Sequence, residues 1–185
     1  MSARRQQGFT LIELVVVIII ISGLLYFAFE RLLKLEVQAE RASMQQVIGN
    51  LNSAIAMVIS KHIADDNIPE LRSYIDSNPM ELLAQTPPTY LGSFAGQPPQ
   101  LDQGVHWYFD QTSHTLVYVT GSPAYFVSDG PVKSVTRLKI LPVYDDKNGN
   151  RQLAALAGLR LAATAPYHWH NEPINPAEYT KTATQ

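Results

Sequence analysis

The sequence contains no cysteine among its 185 residues. Disulfide bonds, zinc sites built from thiolates and cysteine nucleophiles are therefore excluded. Charge is also scarce: 14 basic and 16 acidic residues leave a net charge of −2, which gives no indication of nucleic-acid binding. Proline is absent from Met1 to Ile68, although the chain holds 12 in all. The N-terminal third can therefore form a helix without interruption.

Apolar residues are concentrated between Phe9 and Phe29, which reads FTLIELVVVIIIISGLLYFAF. At about 1.5 Å per residue this run forms a helix of roughly 31 Å, which matches a hydrocarbon core of about 30 Å. Arg4 and Arg5 precede the run, and basic residues remain on the cytoplasmic side of a membrane span. The sequence therefore predicts a single-pass protein whose residues after Phe29 lie on the far side of the membrane.

Two simpler interpretations of this run fit less well. A secretory signal peptide has an apolar region of about 7–15 residues followed by an Ala-x-Ala-like site, and this run is longer and has no such site. A plain membrane anchor leaves Glu13 unexplained, because an ionisable group in lipid costs several kcal/mol and is normally paired. A carboxylate near the interface that only reaches toward water is the remaining alternative for Glu13.

The residues Gly8-Phe9-Thr10-Leu11-Ile12-Glu13-Leu14 follow a short basic leader and open the apolar run. This combination resembles the class A prepilin signature of type IV pilins and of type II secretion pseudopilins. The resemblance implies that a prepilin peptidase cleaves between Gly8 and Phe9 and methylates the new amine of Phe9. It also implies that Glu13 pairs with the N-terminal amine of a neighbouring subunit and sets the axial register of a filament.

The helix is expected to continue beyond the membrane to about residue 64. Apolar residues recur there at spacings near three and four, which is typical of an amphipathic helix. A coiled coil is the alternative for so long a helix. Many pilins carry a kinking proline that is missing here, so any local melting would depend on Ser22 and Gly23. The first breaker is the run from Asp65 to Pro69.

The remainder predicts a small sheet. Residues 105–110 and 115–120 form a hairpin pattern, residues 134–144 a third strand, and residues 153–165 either a strand or a helix. Asn78-Pro79-Met80-Glu81 is typical of a helix start, whereas residues 86–99 hold four prolines and predict a loop. The expected class is α+β, a long helix packed on a small antiparallel sheet, as in the pilin fold.

The expected organisation has five parts. It comprises a leader over residues 1–8, a transmembrane and filament-core helix over 9–29, its amphipathic continuation over 30–64, a variable connecting region over 65–104, and a β-sheet head with a C-terminal tail over 105–185.

Two groups of side chains suggest metal binding, and neither has a complete ligand set. An acidic turn offers oxygen ligands of the kind that calcium prefers, but no bidentate Glu follows at the EF-hand spacing. His168 and His170, with Glu172 nearby, lack a further zinc ligand. We therefore expect no cofactor, with calcium as the alternative because some type II pseudopilins bind it in the head. The candidate calcium ligands are Asp145, Asp146, Asn148 and Asn150.

No catalytic motif occurs in the sequence: a Gly-x-Ser-x-Gly elbow, a P-loop and a dinucleotide fingerprint are all missing. His62, close to Asp65 and Asp66, is interpreted as a cation at a helix C-terminus. Together with the prepilin resemblance, the lack of a catalytic motif implies a non-enzymatic type IV pilus subunit, a minor subunit being one form of that role. The alternatives are a type II secretion pseudopilin and a membrane-tethered periplasmic binding module. Expected partners are the prepilin peptidase, other subunits, the inner-membrane assembly platform and membrane lipid.

Overall fold

A computed structural model describes residues 9–96, 98–102, 104–145 and 155–174. One long helix, α1, covers Leu11–Ala64, which confirms the predicted helix. It passes through Gly23 and Gly49 without a break, and it ends where Asp66 adopts a positive φ of 51° before Pro69. Contacts divide the chain into two compact units, Met1–Ala39 and Glu40–Gln185, which are described separately.

The first unit contains the apolar part of α1. An 18-residue window there has a mean hydropathy of 2.7, and none of it is buried by the protein. By length and composition this helix can cross a membrane. Its apolar side chains point outward on every face, so within the described chain they have no core to join.

The second unit begins with the amphipathic part of α1. Met44, Val47, Leu51 and Ile55 are buried at spacings of three and four, whereas the residues between them are mostly exposed. This spacing places the buried side chains on one face of the helix. The face packs on aromatic and aliphatic residues of the sheet, as the sequence pattern predicts.

The sheet of the second unit has the strand order β1-β2-β3-β5-β6, with β1 parallel to β2 and the other neighbours antiparallel. A separate antiparallel pair joins β4 to β7. Short 3-10 helices cover Ile68–Tyr74, Pro79–Leu82 and Pro123–Tyr125. The strands are β1 (Tyr90–Phe94), β2 (His106–Asp110), β3 (Thr115–Val119), β4 (Phe126–Ser128), β5 (Val135–Asp145), β6 (Ala155–Ala163) and β7 (Tyr167–Trp169).

Alternate strand residues divide between the two faces of this sheet. Trp107 and Tyr118 are opposite each other on β2 and β3, and their rings lie 4.7 Å apart in the core beneath α1. Phe126 of β4 packs edge-on against Tyr118 and closes this core. A second cluster forms where Ile55 and Leu71 meet Ile140. The resulting layout, a long helix followed by a small and mostly antiparallel sheet, fits the pilin fold.

The predicted hairpin over 105–120 is confirmed by β2 and β3. The Asp110 carboxylate accepts hydrogen bonds from the backbone N–H groups of Thr112 and Ser113, which shapes the turn. The third predicted strand is β5, and residues 153–165, left open between strand and helix, contain β6. The predicted helix start is confirmed, because the Asn78 side chain accepts a hydrogen bond from the Met80 N–H.

The prediction that residues 86–99 form a loop is wrong for Tyr90–Phe94, which is strand β1. The prolines flank this segment and leave its interior free to pair with β2. The Asn78 amide also donates to the Tyr90 hydroxyl at 2.8 Å, so a residue outside the local pattern holds β1 in place. Strand β7, in the region expected to be a polar tail, likewise depends on its pairing with β4.

Candidate processing and assembly site

The start of α1 is capped by residues of the motif that follows the basic leader. Thr10 lies just before the helix, and its hydroxyl accepts a hydrogen bond from the Glu13 N–H at 3.3 Å. Its carbonyl accepts one from the Leu14 N–H at 3.2 Å. Thr at the cap with Glu three residues later is the capping-box pattern. The spacing Thr-x-x-Glu is the sequence signal for this cap.

Glu13 therefore has two compatible roles. As a residue of the first helical turn it places negative charge near the positive end of the helix dipole. Its side chain is exposed, so it is also open to a neighbouring molecule. Phe9, the predicted new N-terminus, is exposed as well and precedes the helix. Gly8 lies outside the described residues.

Ser22, a polar side chain in the middle of the span, is satisfied locally. The Ser22 hydroxyl donates to the Ile18 carbonyl at 2.7 Å, one helical turn earlier. Such a bond removes the need for water inside a membrane. The helix is continuous through Ser22 and Gly23. In this structure the two residues therefore produce no local unwinding.

Sequence reasoning missed a buried carboxylate at the start of the second unit. Glu40 is buried, and its Oε1 accepts hydrogen bonds from the Tyr118 hydroxyl at 2.7 Å, the Thr120 hydroxyl at 2.6 Å and the Gly121 N–H at 3.0 Å. Burial, together with this carboxylate, raises the pKa of Tyr118, so its hydroxyl stays protonated and donates. Glu40 belongs to the amphipathic pattern as a polar position, and its partners come from 78 or more residues away. Local patterns contain no signal for such a contact.

The other polar candidates are dispersed. His62 is buried in the last turn of α1, with Nδ1 2.8 Å from the Val58 carbonyl and its ring edge-on to Tyr74. His168 and His170 are exposed. Asp145 ends β5, and the other predicted calcium ligands, Asp146, Asn148 and Asn150, lie outside the described residues. Among the residues that are described, no three His, Cys, Asp or Glu side chains form a metal-binding group.

Comparison with protein families gives one match. Residues 3–22 match the family described as the prokaryotic N-terminal methylation motif. The chain thus carries the class A prepilin leader motif, and its long helix followed by a small sheet fits the layout of a type IV pilin or pseudopilin. Comparison with curated proteins and with solved structures returns no match. The motif indicates a structural subunit rather than an enzyme, and it implies processing by a prepilin peptidase.

Proposed function

We propose that the chain is a structural subunit of a type IV pilus, anchored in the inner membrane before assembly. The observation that carries this proposal is the methylation motif over residues 3–22, placed directly on a helix whose next residues are apolar and exposed on every face. A methylated N-terminus and an exposed apolar helix suit a subunit that leaves the lipid of the membrane and packs against other subunits in a filament. The head remains a folded unit throughout that exchange.

In the proposed sequence of events, Arg4 and Arg5 keep the leader cytoplasmic while the head crosses to the periplasm. The peptidase then cleaves the bond between Gly8 and Phe9, where the lack of a glycine side chain leaves the scissile bond open. Methylation keeps the Phe9 amine basic. The processed subunit passes from the membrane to the filament at the inner-membrane assembly platform.

Glu13 supplies the contact that sets the register between subunits. Its carboxylate pairs with the Phe9 amine of a neighbour, and each charge neutralises the other in an apolar environment. The support is the position of Glu13, one turn into α1 and exposed, with its backbone already satisfied by Thr10. A side chain needed only for capping would not have to carry charge, because Gln also completes a capping box.

A deletion strain tests whether the filament is a pilus. We expect negative-stain electron microscopy to show surface filaments that are lost or reduced in number, with restoration by the wild-type gene, while secreted hydrolases still reach the medium. Retention of those hydrolases in the periplasm with normal surface filaments would contradict the proposal and favour the type II secretion pseudopilin. Neighbouring genes for a retraction ATPase are expected in the first case, and a secretin with secreted hydrolases in the second.

A further inference from the structure

The sheet face opposite α1 carries an arginine whose hydrogen-bond donors are incompletely used. Arg137 of β5 lies next to Val117 of β3, which lies next to Tyr108 of β2, so the three side chains share this face. The Arg137 side chain is 32% exposed. Its Nη1 is buried, and no atom in the described residues accepts a hydrogen bond of good geometry from it. The guanidinium also interacts with the nearby Tyr108 hydroxyl, whose pKa is raised by burial and partly lowered by Arg137.

The nearest carboxylate does not satisfy this guanidinium. Asp110 Oδ2 lies 3.9 Å from Arg137 Nη1, which is beyond hydrogen-bond distance. The same oxygen accepts a 2.6 Å hydrogen bond from the Ser113 hydroxyl, and Oδ1 accepts one from the Thr112 N–H. Asp110 is thus held by the hairpin turn. The planar N–H donors of the Arg137 guanidinium therefore have the geometry to bind a second carboxylate.

Arg137 also lines two cavities, one of about 110 Å³ and one of about 150 Å³. The smaller cavity has aromatic walls, since Phe94 and Tyr108 pack edge-on in it at 6.1 Å. The larger has apolar walls that include Pro131, Val132 and Val135. Each is well below the roughly 300 Å³ of a typical small-molecule pocket, and each suits a single side chain.

We propose that this face binds an extended acidic peptide segment of a partner protein. The acidic side chain of the segment meets Arg137, draws the guanidinium away from its long contact with Asp110, and accepts hydrogen bonds from both Nη atoms. The apolar side chains two residues before and two residues after the acidic residue lie on the same side of the extended segment, and they enter the two cavities. This arrangement follows the general mode in which an extended peptide is anchored by separate side-chain pockets. The surface gives the head a recognition role beyond filament assembly.

The test uses the full chain in detergent micelles and fluorescence anisotropy of two labelled pentapeptides. One peptide has aspartate at position 3 with valine at positions 1 and 5, which share one face of an extended chain, and the other has asparagine in place of aspartate. We expect wild type to bind the aspartate peptide at least about tenfold more tightly. In Arg137→Gln this preference should fall to about one, and in Arg160→Gln it should persist. Arg160 is a matched control because it is an exposed arginine opposite Leu141, on the same face.

Equal affinity of wild type for the two peptides overturns the proposal, as does a preference that Arg137→Gln retains. If circular dichroism shows that Arg137→Gln does not fold, the affinities of wild type and of Arg137→Lys for the two peptides are compared instead. Lysine keeps the positive charge but lacks the planar set of donors of arginine. If Arg160→Gln lowers the preference as much as Arg137→Gln does, the attraction is a general one to a basic surface, and the proposal is overturned. Concentration-dependent self-association that requires Arg137 would assign the face to a second copy and would also overturn the proposal.

Discussion

The two parts of α1 share one continuous helical backbone but differ in the burial of their apolar side chains. Leu14, in the first unit, is 55% exposed, whereas Leu51, in the second, is 0% exposed. Both are leucines in the interior of one helix that covers Leu11–Ala64. The difference shows that the first part has no apolar partner within the described chain, which fits the proposal that lipid or other subunits cover it. The second part finds its partner in the sheet.

The comparison also shows what each sequence pattern means. The run up to Phe29 in the first part is apolar on every face, which is the pattern for an apolar surrounding, and the one acid of that run, Glu13, is placed at the helix start. The second part is apolar on one face, which is the pattern for packing on one surface. Removing a side chain should therefore affect assembly in the first part and folding in the second.

The largest expected effect is on assembly, from Glu13→Leu and Glu13→Gln. If Glu13 pairs with the Phe9 amine of a neighbour, either change leaves that amine unpaired, and breaking one partner of a buried pair typically costs about 3–5 kcal/mol. Filament incorporation, measured by shearing and immunoblotting, should be lost in both. Membrane insertion and leader cleavage should stay near wild type, since neither depends on the pairing.

Glu13→Gln separates the two roles of this residue, because glutamine preserves the capping box and removes the charge. Wild-type assembly of Glu13→Gln together with defective Glu13→Leu would mean that capping is the important role. Glu36→Gln is the matched control, as an exposed glutamate of the same helix outside the apolar run. It should assemble normally.

A chain beginning at Ala39 should be soluble and should unfold cooperatively. It omits the exposed apolar part of α1 and keeps the face that covers the sheet. Circular dichroism should show mixed helix and strand with a single thermal transition. A disordered fragment would mean that the second unit depends on the first, contrary to the comparison.

Leu51→Ala should lower the free energy of unfolding of the head by about 2–5 kcal/mol, the usual range for a buried leucine. Leu14→Ala should change it by less than about 0.5 kcal/mol. Both tryptophans of the chain, Trp107 and Trp169, lie in the second unit, so their fluorescence reports head unfolding in the full chain. Similar losses from the two changes would remove the distinction between the parts of α1.

A smaller effect is expected at the boundary of the units. Glu40→Ala leaves the donors of Tyr118, Thr120 and Gly121 without their acceptor, and we expect a loss of about 1–3 kcal/mol in head stability by denaturant titration. Glu40→Gln retains an acceptor oxygen and should lose less. Glu36→Ala, four residues earlier and exposed, should have almost no effect. Equal losses at both positions would show that the buried contact is not what stabilises the head.

Patterns with a fixed local period could be predicted from the sequence. The helix over Leu11–Ala64, the β2–β3 hairpin and strand β5 follow from hydrophobic spacing and from the absence of breakers. The motif around Gly8, Phe9 and Glu13 could also be recognised, because its residues are contiguous. These features depend on neighbours in the chain, which a sequence displays directly.

Features held by distant residues could not be predicted in this way. Strand β1 lies between proline pairs and depends on pairing with β2 and on the Asn78 amide. The acceptor role of Glu40 depends on a turn some 80 residues later. The donors of Arg137 and the cavities beside it arise only when β2 and β5 flank β3. In each case the deciding partner is remote in sequence.

The most direct test of the account is mass spectrometry of the N-terminal peptide of the protein purified from its own cells. The account predicts a chain that begins at N-methylated Phe9, with residues 1–8 removed, and a Gly8→Val variant that keeps the leader and stays in the membrane. A wild-type chain that still carries residues 1–8, or a Gly8→Val variant that matures normally, would contradict the assignment of the prepilin leader.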